Sequence, residues 1–508
     1  MSENGQSRMA VPPSMRHLQP TMNLIDDDAA YSAMKSRDPR FDGVFFVGVT
    51  STGIYCRPIC PVKVPKRENC RFFENAGAAE KAAFRPCLRC RPELAPGHAP
   101  VDQAHRLADL IVHRIDEGLA DEGAGLEEIA TQFDLSSRQL RRIVQQELGV
   151  SPIELIQTRR LLLAKQLLTD TQLPVIEIAF ASGFSSLRRF NDAFSTHYRM
   201  PPTRLRKDAT THPDRINLTD TSTLQLGYRP PYDWQSMLKF LATRAIREVE
   251  FVTADTYART IRIGDHTGWI KVSNAAAKNA LRVEFTHSLT PVLPALLGRL
   301  RNMFDLSARP DIIAAHLMQD PTLKQSVTQN PGLRVPGAFD GFEMAVRAIL
   351  GQQITVQAAT KIACRYAEAF GKPIATPFPE LTRLSPTAQK VTRATLDDIA
   401  RLGIIRTRAA CILAMAAALR SGSLHLEPGA HPESTIAQLV ALPGIGPWTA
   451  HYIAMRALRW PDAFPKEDIV VRNNLGGVTA KQAEQMSQPW RPWRSYAVMH
   501  VWNSPAQK

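Results

Sequence analysis

At 508 residues the chain exceeds what one hydrophobic core organises, so several domains are expected. Its 44% hydrophobic and 22% charged content is that of a globular protein, and no apolar run approaches the ~20 residues that cross a bilayer, which excludes a helical membrane span. Sixty-two Lys and Arg against 48 Asp and Glu leave a formal charge of +14, which favours a polyanionic partner, nucleic acid before membrane.

Residues 1–25 are polar and lack an apolar h-region, so they read as a flexible tail rather than a signal peptide, and a cytoplasmic, nucleoid-associated protein is expected. Residues 26–98 hold five of the seven Cys, and Pro92, Pro96, Gly97 and Pro100 close that segment. Within it, Cys56-x3-Cys60 and Cys87-x2-Cys90 are two short-spaced pairs separated by 26 residues, a soft donor set suited to tetrahedral zinc rather than disulfides. Spacing alone leaves open both a purely structural knuckle and a reactive site. Cys70 has no paired Cys at ligand spacing and is expected to be packing.

Between 102 and 208 the pattern is helical and repeats: Glu128-Ile-Ala130 with Ser136-Ser137 recurs 49 residues on as Glu177-Ile-Ala179 with Ser185-Ser186. Each copy has the layout of a helix-turn-helix whose second helix starts at a Ser cap. The second helices present Arg138, Gln139, Arg141 and Arg142, then Arg188, Arg189 and Asn191, which are either groove contacts or a solvated basic face. Residues 209–223, rich in Thr and Asp, read as a linker separating front from back.

From 224 to 305, alternating segments such as Tyr257–Ile263 and Leu281–Phe285 predict a small sheet with helices on it, and 306–503 is mainly helical by its Ala and Leu spacing. The expected fold class is therefore multidomain and mainly α with two small α/β parts. In the last segment Leu442-Pro-Gly444-Ile-Gly446-Pro-Trp-Thr-Ala450 places two Gly at a tight turn before a helix, where backbone N–H groups can meet a phosphate. Asp468 follows 22 residues after Gly446, and taken alone is either a helix N-cap or a placed anion.

Three resemblances join these readings. Phe41-Asp-Gly43, Thr52–Pro58, Arg71-Phe-Phe73 and Phe84–Cys90 resemble the N-terminal domain of Ada-type adaptive-response regulators. That implies one zinc, an irreversible transfer of methyl from a DNA phosphotriester to Cys56, and backbone contacts at Thr52, Lys63 and Arg85. The tandem repeat ending in Met200-Pro-Pro202 is similar to the AraC-type DNA-binding domain, with Arg199 where that family often has Gly. Promoter DNA, and with it RNA polymerase, is the implied partner.

Tyr228–Trp234, Phe342–Gln353, the hairpin with Asp468, and Trp493–Trp502 resemble 3-methyladenine DNA glycosylase II, the AlkA family, across nearly all of 224–503. This implies two helical lobes around a cleft, a catalytic Asp468, and base-pocket aromatics at Trp448, Tyr452 and Trp502, residues that could otherwise be core. Alkylated double-stranded DNA is the implied substrate. Trp448 stands where lyase-type relatives place Lys, so a monofunctional enzyme is expected, and the lack of any Cys after Cys411 excludes the iron–sulfur cluster of the endonuclease III branch. Gln353 stands where the family has a Leu wedge, and the carbonyls of Val440, Leu442 and Ile445 are candidates for an alkali ion. No Cys is followed by His, so the acceptor loop for alkyl groups on guanine oxygen is missing. The resulting expectation is a glycosylase of alkylated purines fused to a methyl-accepting transcription regulator. The rival readings are a regulator whose rear half only grips damaged DNA, and a front zinc domain that only anchors.

Overall fold

A computed structural model describes residues 26–97, 111, 124–132, 135–209, 220–428 and 430–504. The tail at 1–25 and most of the 209–223 linker lie outside the described residues. None of the described helices is long and apolar enough to cross a membrane.

The cysteine-rich segment opens with α1 (Asp27–Ser36) and folds around β1 (Phe46–Val49), β2 (Ile54–Cys56), β3 (Cys70–Phe73) and β4 (Arg85–Pro86), in the order β3-β1-β2-β4. The antiparallel register Val47↔Cys56 and the parallel register Ile54↔Arg85 bring the two Cys-bearing stretches to one end of the sheet. Cys70 packs with Ala30, Met34, Phe45 and Val47, as expected of a thiol outside the ligand set. A short helix, α2 (Ala76–Lys81), is N-capped by Asn75 through the Ala78 N–H.

The repeat forms α3 (Ala124–Gln132) and α4 (Ser137–Leu148), a long connector α5 (Pro152–Asp170), then α6 (Val175–Ala181), α7 (Leu187–Tyr198) and α8 (Pro202–Ala209). Ser136 and Ser186 cap α4 and α7, the second helix of each copy. After α7, Arg199 takes the left-handed conformation (φ 56°, ψ 31°) that a Gly would adopt with less strain.

Behind them lies a five-stranded antiparallel sheet, β5 (Thr221–Gly227), β6 (Glu250–Val252), β7 (Thr256–Ile263), β8 (His266–Ala275) and β9 (Ala280–Thr286), ordered β5-β9-β8-β7-β6. Strand β5 begins at Thr221, inside the stretch read as linker. Its alternation is buried on one face only, so a Thr- and Ser-rich start hides the strand from composition. Helix α9 (Trp234–Ala242) packs on this sheet through Trp234, Met237, Leu238 and Leu241.

Front and back are not separate bodies. Leu161, Leu168, Ile178 and Phe184 of the repeat share one continuous buried cluster with Leu224, Leu226 and Leu289 of the sheet domain. Strand β5 also ends so close to the cysteine module that a Cβ on Gly227 would lie 2.0 Å from the Leu94 carbonyl oxygen. At the same seam Arg229, 1% exposed, donates from Nε to Asp42 O (2.9 Å), from Nη1 to Ser307 O (2.6 Å), and from Nη2 to Pro96 O (3.2 Å) and Gly97 O (2.8 Å). A second buried contact joins Lys165 of α5 to Glu93 (2.6 Å) and to the Cys87 carbonyl (3.0 Å). Burial alone would raise the Glu93 carboxyl, but Lys165 and Arg91 outweigh it and hold it below the usual carboxylate range.

In the remaining lobes α10 (Gly341–Leu350) packs against α11 (Arg406–Ser421), and α12 (Pro432–Ala441) and α10 both pack against α13 (Pro447–Arg456), while α14 (Ile469–Asn474) packs against α15 (Arg494–Asn503). Inside α15, His500 is 4% exposed and its Nδ1 faces Ser326 Oγ at 3.1 Å. Burial lowers its pKa from the ordinary 6.5 to about 4.

Two consequences can be measured. R229A leaves four carbonyls, three of them buried, without this donor, and should cost about 3 kcal/mol or more in chemical denaturation. Because the unfolded His500 binds a proton that the folded one refuses, its contribution is complete above pH 6.5 and lost as pH falls toward 4. Going from pH 7 to 5 should therefore destabilise the protein by about 2 kcal/mol through this residue, and H500N should flatten that part of the stability profile.

Candidate zinc and nucleic-acid sites

The sulfurs of Cys56, Cys60, Cys87 and Cys90 all lie within 4.8 Å of one another and all four residues are buried. A tetrahedron with Zn–S of about 2.3 Å has edges of about 3.8 Å, so the cluster fits one zinc. Strand β2 delivers Cys56, and the Cys60 N–H bonds back to Arg57 O at 3.1 Å, closing the loop between the first pair. The Arg57 N–H donates to Cys90 Sγ at 3.3 Å, a contact that offsets thiolate charge.

The basic residues around the site divide by direction. Arg57 is buried and pairs with Asp42, while Arg91 binds Glu93 (3.0 Å) and Asp170 (2.8 Å), so both hold the module together rather than face solvent. Thr52 and Lys63 are exposed and Arg85 is half-buried at β4. Arg89 is also exposed.

On the second helices Arg138, Arg141, Arg142, Arg188 and Arg189 are exposed and Asn191 is half-buried. Gln139 is committed differently: its Oε1 accepts from the Ser136 N–H and hydroxyl, both at 2.9 Å, in a capping box. Its side-chain oxygen therefore caps α4 instead of reading a base.

In the rear half, Gly444 sits at φ +89° between α12 and α13, and Gly446 is the N-cap of α13 with open space where a Cβ would be. The bare turn lets an approaching backbone reach the first N–H groups of α13. The Leu442 carbonyl accepts the Ile445 N–H at 3.1 Å within this turn. Gln352 fixes the neighbouring loop to it, donating to Gly444 O (2.8 Å) and Thr449 Oγ1 (3.0 Å). Gln353 then projects at the surface with φ 54°, a strained conformation for a non-Gly residue.

Asp468 lies 8% exposed at the start of α14. Its Oδ1 accepts from the Val471 N–H (2.9 Å) and from Trp502 Nε1 (3.2 Å), and its Oδ2 from Trp448 Nε1 (2.9 Å). It is thus the N-cap that the local sequence allows, and at the same time an anion oriented by two indoles. Trp448 stacks on Tyr452, one turn later on α13, with centroids 5.3 Å apart and planes 5° from parallel, and Trp502 tilts toward Tyr452 at 6.3 Å. The hairpin, the carboxylate and the three aromatic rings, far apart in sequence, form one group.

Over 484 residues the chain is 36% identical to the "Probable bifunctional transcriptional activator/DNA repair enzyme AlkA" of Mycobacterium tuberculosis, a match covering 94% of this chain and 96% of that protein. The chain belongs to this AlkA-type bifunctional family. Four family profiles tile it: "Metal binding domain of Ada" at 29–93, "Helix-turn-helix domain" at 129–208, "AlkA N-terminal domain" at 223–340, and "HhH-GPD superfamily base excision DNA repair protein" at 346–492. The rear half is 35% identical over 277 residues to the "DNA-3-methyladenine glycosylase 2" of Escherichia coli, covering 54% of this chain and 95% of that one. The front is 38% identical over 128 residues to the "Bifunctional transcriptional activator/DNA repair enzyme Ada" of the same organism, covering 25% of this chain and 34% of that one.

Within this AlkA-type chain, sequence reasoning missed Gln352 and Arg456, and it expected Arg57, among the basic residues around the zinc ligands, to approach a phosphate backbone, whereas Arg57 turns inward onto Asp42. Arg456 follows Tyr452 by four residues and Trp448 by eight, so the helical spacing that put the two aromatics on one face also carried the Arg. Gln352 and Arg57 carried no such signal, because their partners are remote in sequence.

Proposed function

We propose that the rear half excises alkylated purines from double-stranded DNA and that the front half takes a methyl group from a backbone phosphotriester onto Cys56 and regulates transcription. The observation that carries the first part is the Asp468 carboxylate fixed by three N–H donors beside the Trp448, Tyr452 and Trp502 rings. Breaking the bond between deoxyribose and base builds positive charge on the sugar, which a fixed anion stabilises, and the same anion orients the attacking water. A purine rotated out of the duplex gains stacking from the aromatic walls, which matters most for a cationic base that already leaves readily. The hairpin N–H groups and the exposed Gln353 would hold the strand while the base is out.

In the front half, bound zinc would keep its four sulfur ligands deprotonated at neutral pH. The Cys56 sulfur attacks the methyl carbon, the S–C bond forms, and the C–O electron pair returns to the phosphate, which becomes a diester. The thioether carries one negative charge less than the thiolate, so repulsion from DNA phosphates falls and affinity rises. The exposed Arg side chains of α4 and α7 would then hold promoter DNA for contact with RNA polymerase.

D468N keeps the cap geometry but not the charge, and it should lower release of free 3-methyladenine from methylated DNA by a factor on the order of a hundred or more. No base release by the unaltered protein would leave only a damage-binding regulator. After incubation with DNA carrying methyl phosphotriesters, peptide mass spectrometry should find one added methyl on Cys56, and an unmodified Cys56 would reduce the front module to an anchor.

A further inference from the structure

Beside Tyr452 two guanidinium groups converge without a carboxylate among the described residues. Arg456 is buried on α13 and donates from Nη1 to Tyr452 Oη (2.8 Å), from Nε to Pro336 O, and from Nη2 to Gly337 O (3.3 Å). Its guanidinium lies 4.7 Å from the centroid of Phe240, and that of Arg244 lies 3.8 Å from the same ring. Several other inward-facing arginines of the rear half meet carboxylates, Arg259 and Arg347 at Glu343 and Glu250, Arg494 at Asp462 and Arg459 at Asp305, while Arg229 and Arg334 are held by backbone carbonyls. Among the described residues neither Arg244 nor Arg456 has an acidic oxygen within the 4.0 Å of an ion pair. A buried cation facing no carboxylate is costly, and here it makes the surroundings of the Tyr452 hydroxyl electropositive.

Tyr452 links that charge to the rings around Asp468, since its oxygen meets Arg456 and its ring stacks on Trp448. Its oxygen accepts from Arg456, so its hydrogen remains for another acceptor, and among the described residues none takes it. Burial pushes the phenol pKa up, but the Arg456 and Arg244 cations and their hydrogen bonds outweigh this and bring it below the ordinary 10.0. The hydroxyl is therefore a strengthened donor on a ring that already stacks on Trp448.

We propose that the Tyr452 hydroxyl, polarised by Arg456 and Arg244, donates a hydrogen bond to the departing base, and that this assistance decides whether purines without a positive charge are excised. The proposal rests on the glycosylase reading. When the bond between C1′ and the purine nitrogen breaks, its electron pair stays with the base. A cationic alkylated purine becomes neutral and needs little help, whereas an uncharged purine becomes an anion that a polarised donor stabilises. Tyr452 keeps its proton, water adds to C1′ and releases its proton by way of Asp468, and solvent protonates the free base.

The test uses the full chain and duplex oligonucleotides containing one 7-methylguanine, a cation, or one hypoxanthine, which is uncharged, with single-turnover release as readout. Y452F preserves the ring and its stacking. It should slow hypoxanthine release on the order of a hundredfold more than it slows 7-methylguanine release, so that the ratio of the two rates is what changes. R244Q, at a half-exposed position, should slow hypoxanthine release selectively in the same direction. Equal losses on both bases, no loss in Y452F, or an unaltered protein that releases 7-methylguanine but not hypoxanthine would each overturn the assignment. Failure of the unaltered protein to release 7-methylguanine would instead overturn the glycosylase reading on which it stands.

Discussion

The arrangement depends on a guanidinium with nowhere to go but inward. Arg229 is sealed between the cysteine module and the rear half, and its hydrogen bonds reach carbonyls on both sides, Asp42, Pro96 and Gly97 on one and Ser307 on the other. A buried cation without those acceptors would be intolerable, so the chain must present all of them at once. Their simultaneous presentation sets where the module ends, how closely Gly227 approaches Leu94, and how β5 meets α5. Asp42 serves both neighbours, with its carboxylate on Arg57 beside the first zinc ligand and its carbonyl on Arg229.

Much of the molecule was legible in the sequence because its signals are local. The paired Cys spacings, the repeated Glu-Ile-Ala with Ser caps, and the Gly-x-Gly turn each encode geometry within a few residues, and the structure holds a four-sulfur cluster, capped second helices and a left-handed Gly444 there. Packing between distant segments was not legible. Arg229 lies inside a stretch singled out for resemblance, yet nothing in that stretch says that its side chain meets residues over 130 positions away. Likewise the Thr- and Ser-rich run before Leu224 reads as linker until β9 supplies it with ladder partners.

The rear site shows why bland and functional readings of a residue need not compete. Asp468 was open to being an N-cap or a placed anion, and the structure uses one oxygen for both tasks: the Val471 N–H that caps α14 shares Oδ1 with the Trp502 indole. Capping immobilises the carboxylate, and an immobile charge is what a developing cation needs. Trp448 likewise is both a stacking partner of Tyr452 and a hydrogen-bond donor to Asp468. Gln139 shows the opposite outcome, a polar side chain on a recognition-like helix that local capping has claimed.

The apolar cluster common to the helical repeat and the sheet bears on how such a polypeptide can be taken apart. Severing it between α8 and β5, where the sequence invites a cut, would strip Ile178 and Phe184 of the repeat, and Leu224 and Leu289 of the sheet, of their cover. Each fragment would carry a greasy scar, so the pieces would cling to one another or fall out of solution unless those scars were repainted with polar side chains. A lone glycosylase of the same fold must therefore already wear a hydrophilic skin where this chain wears its regulator.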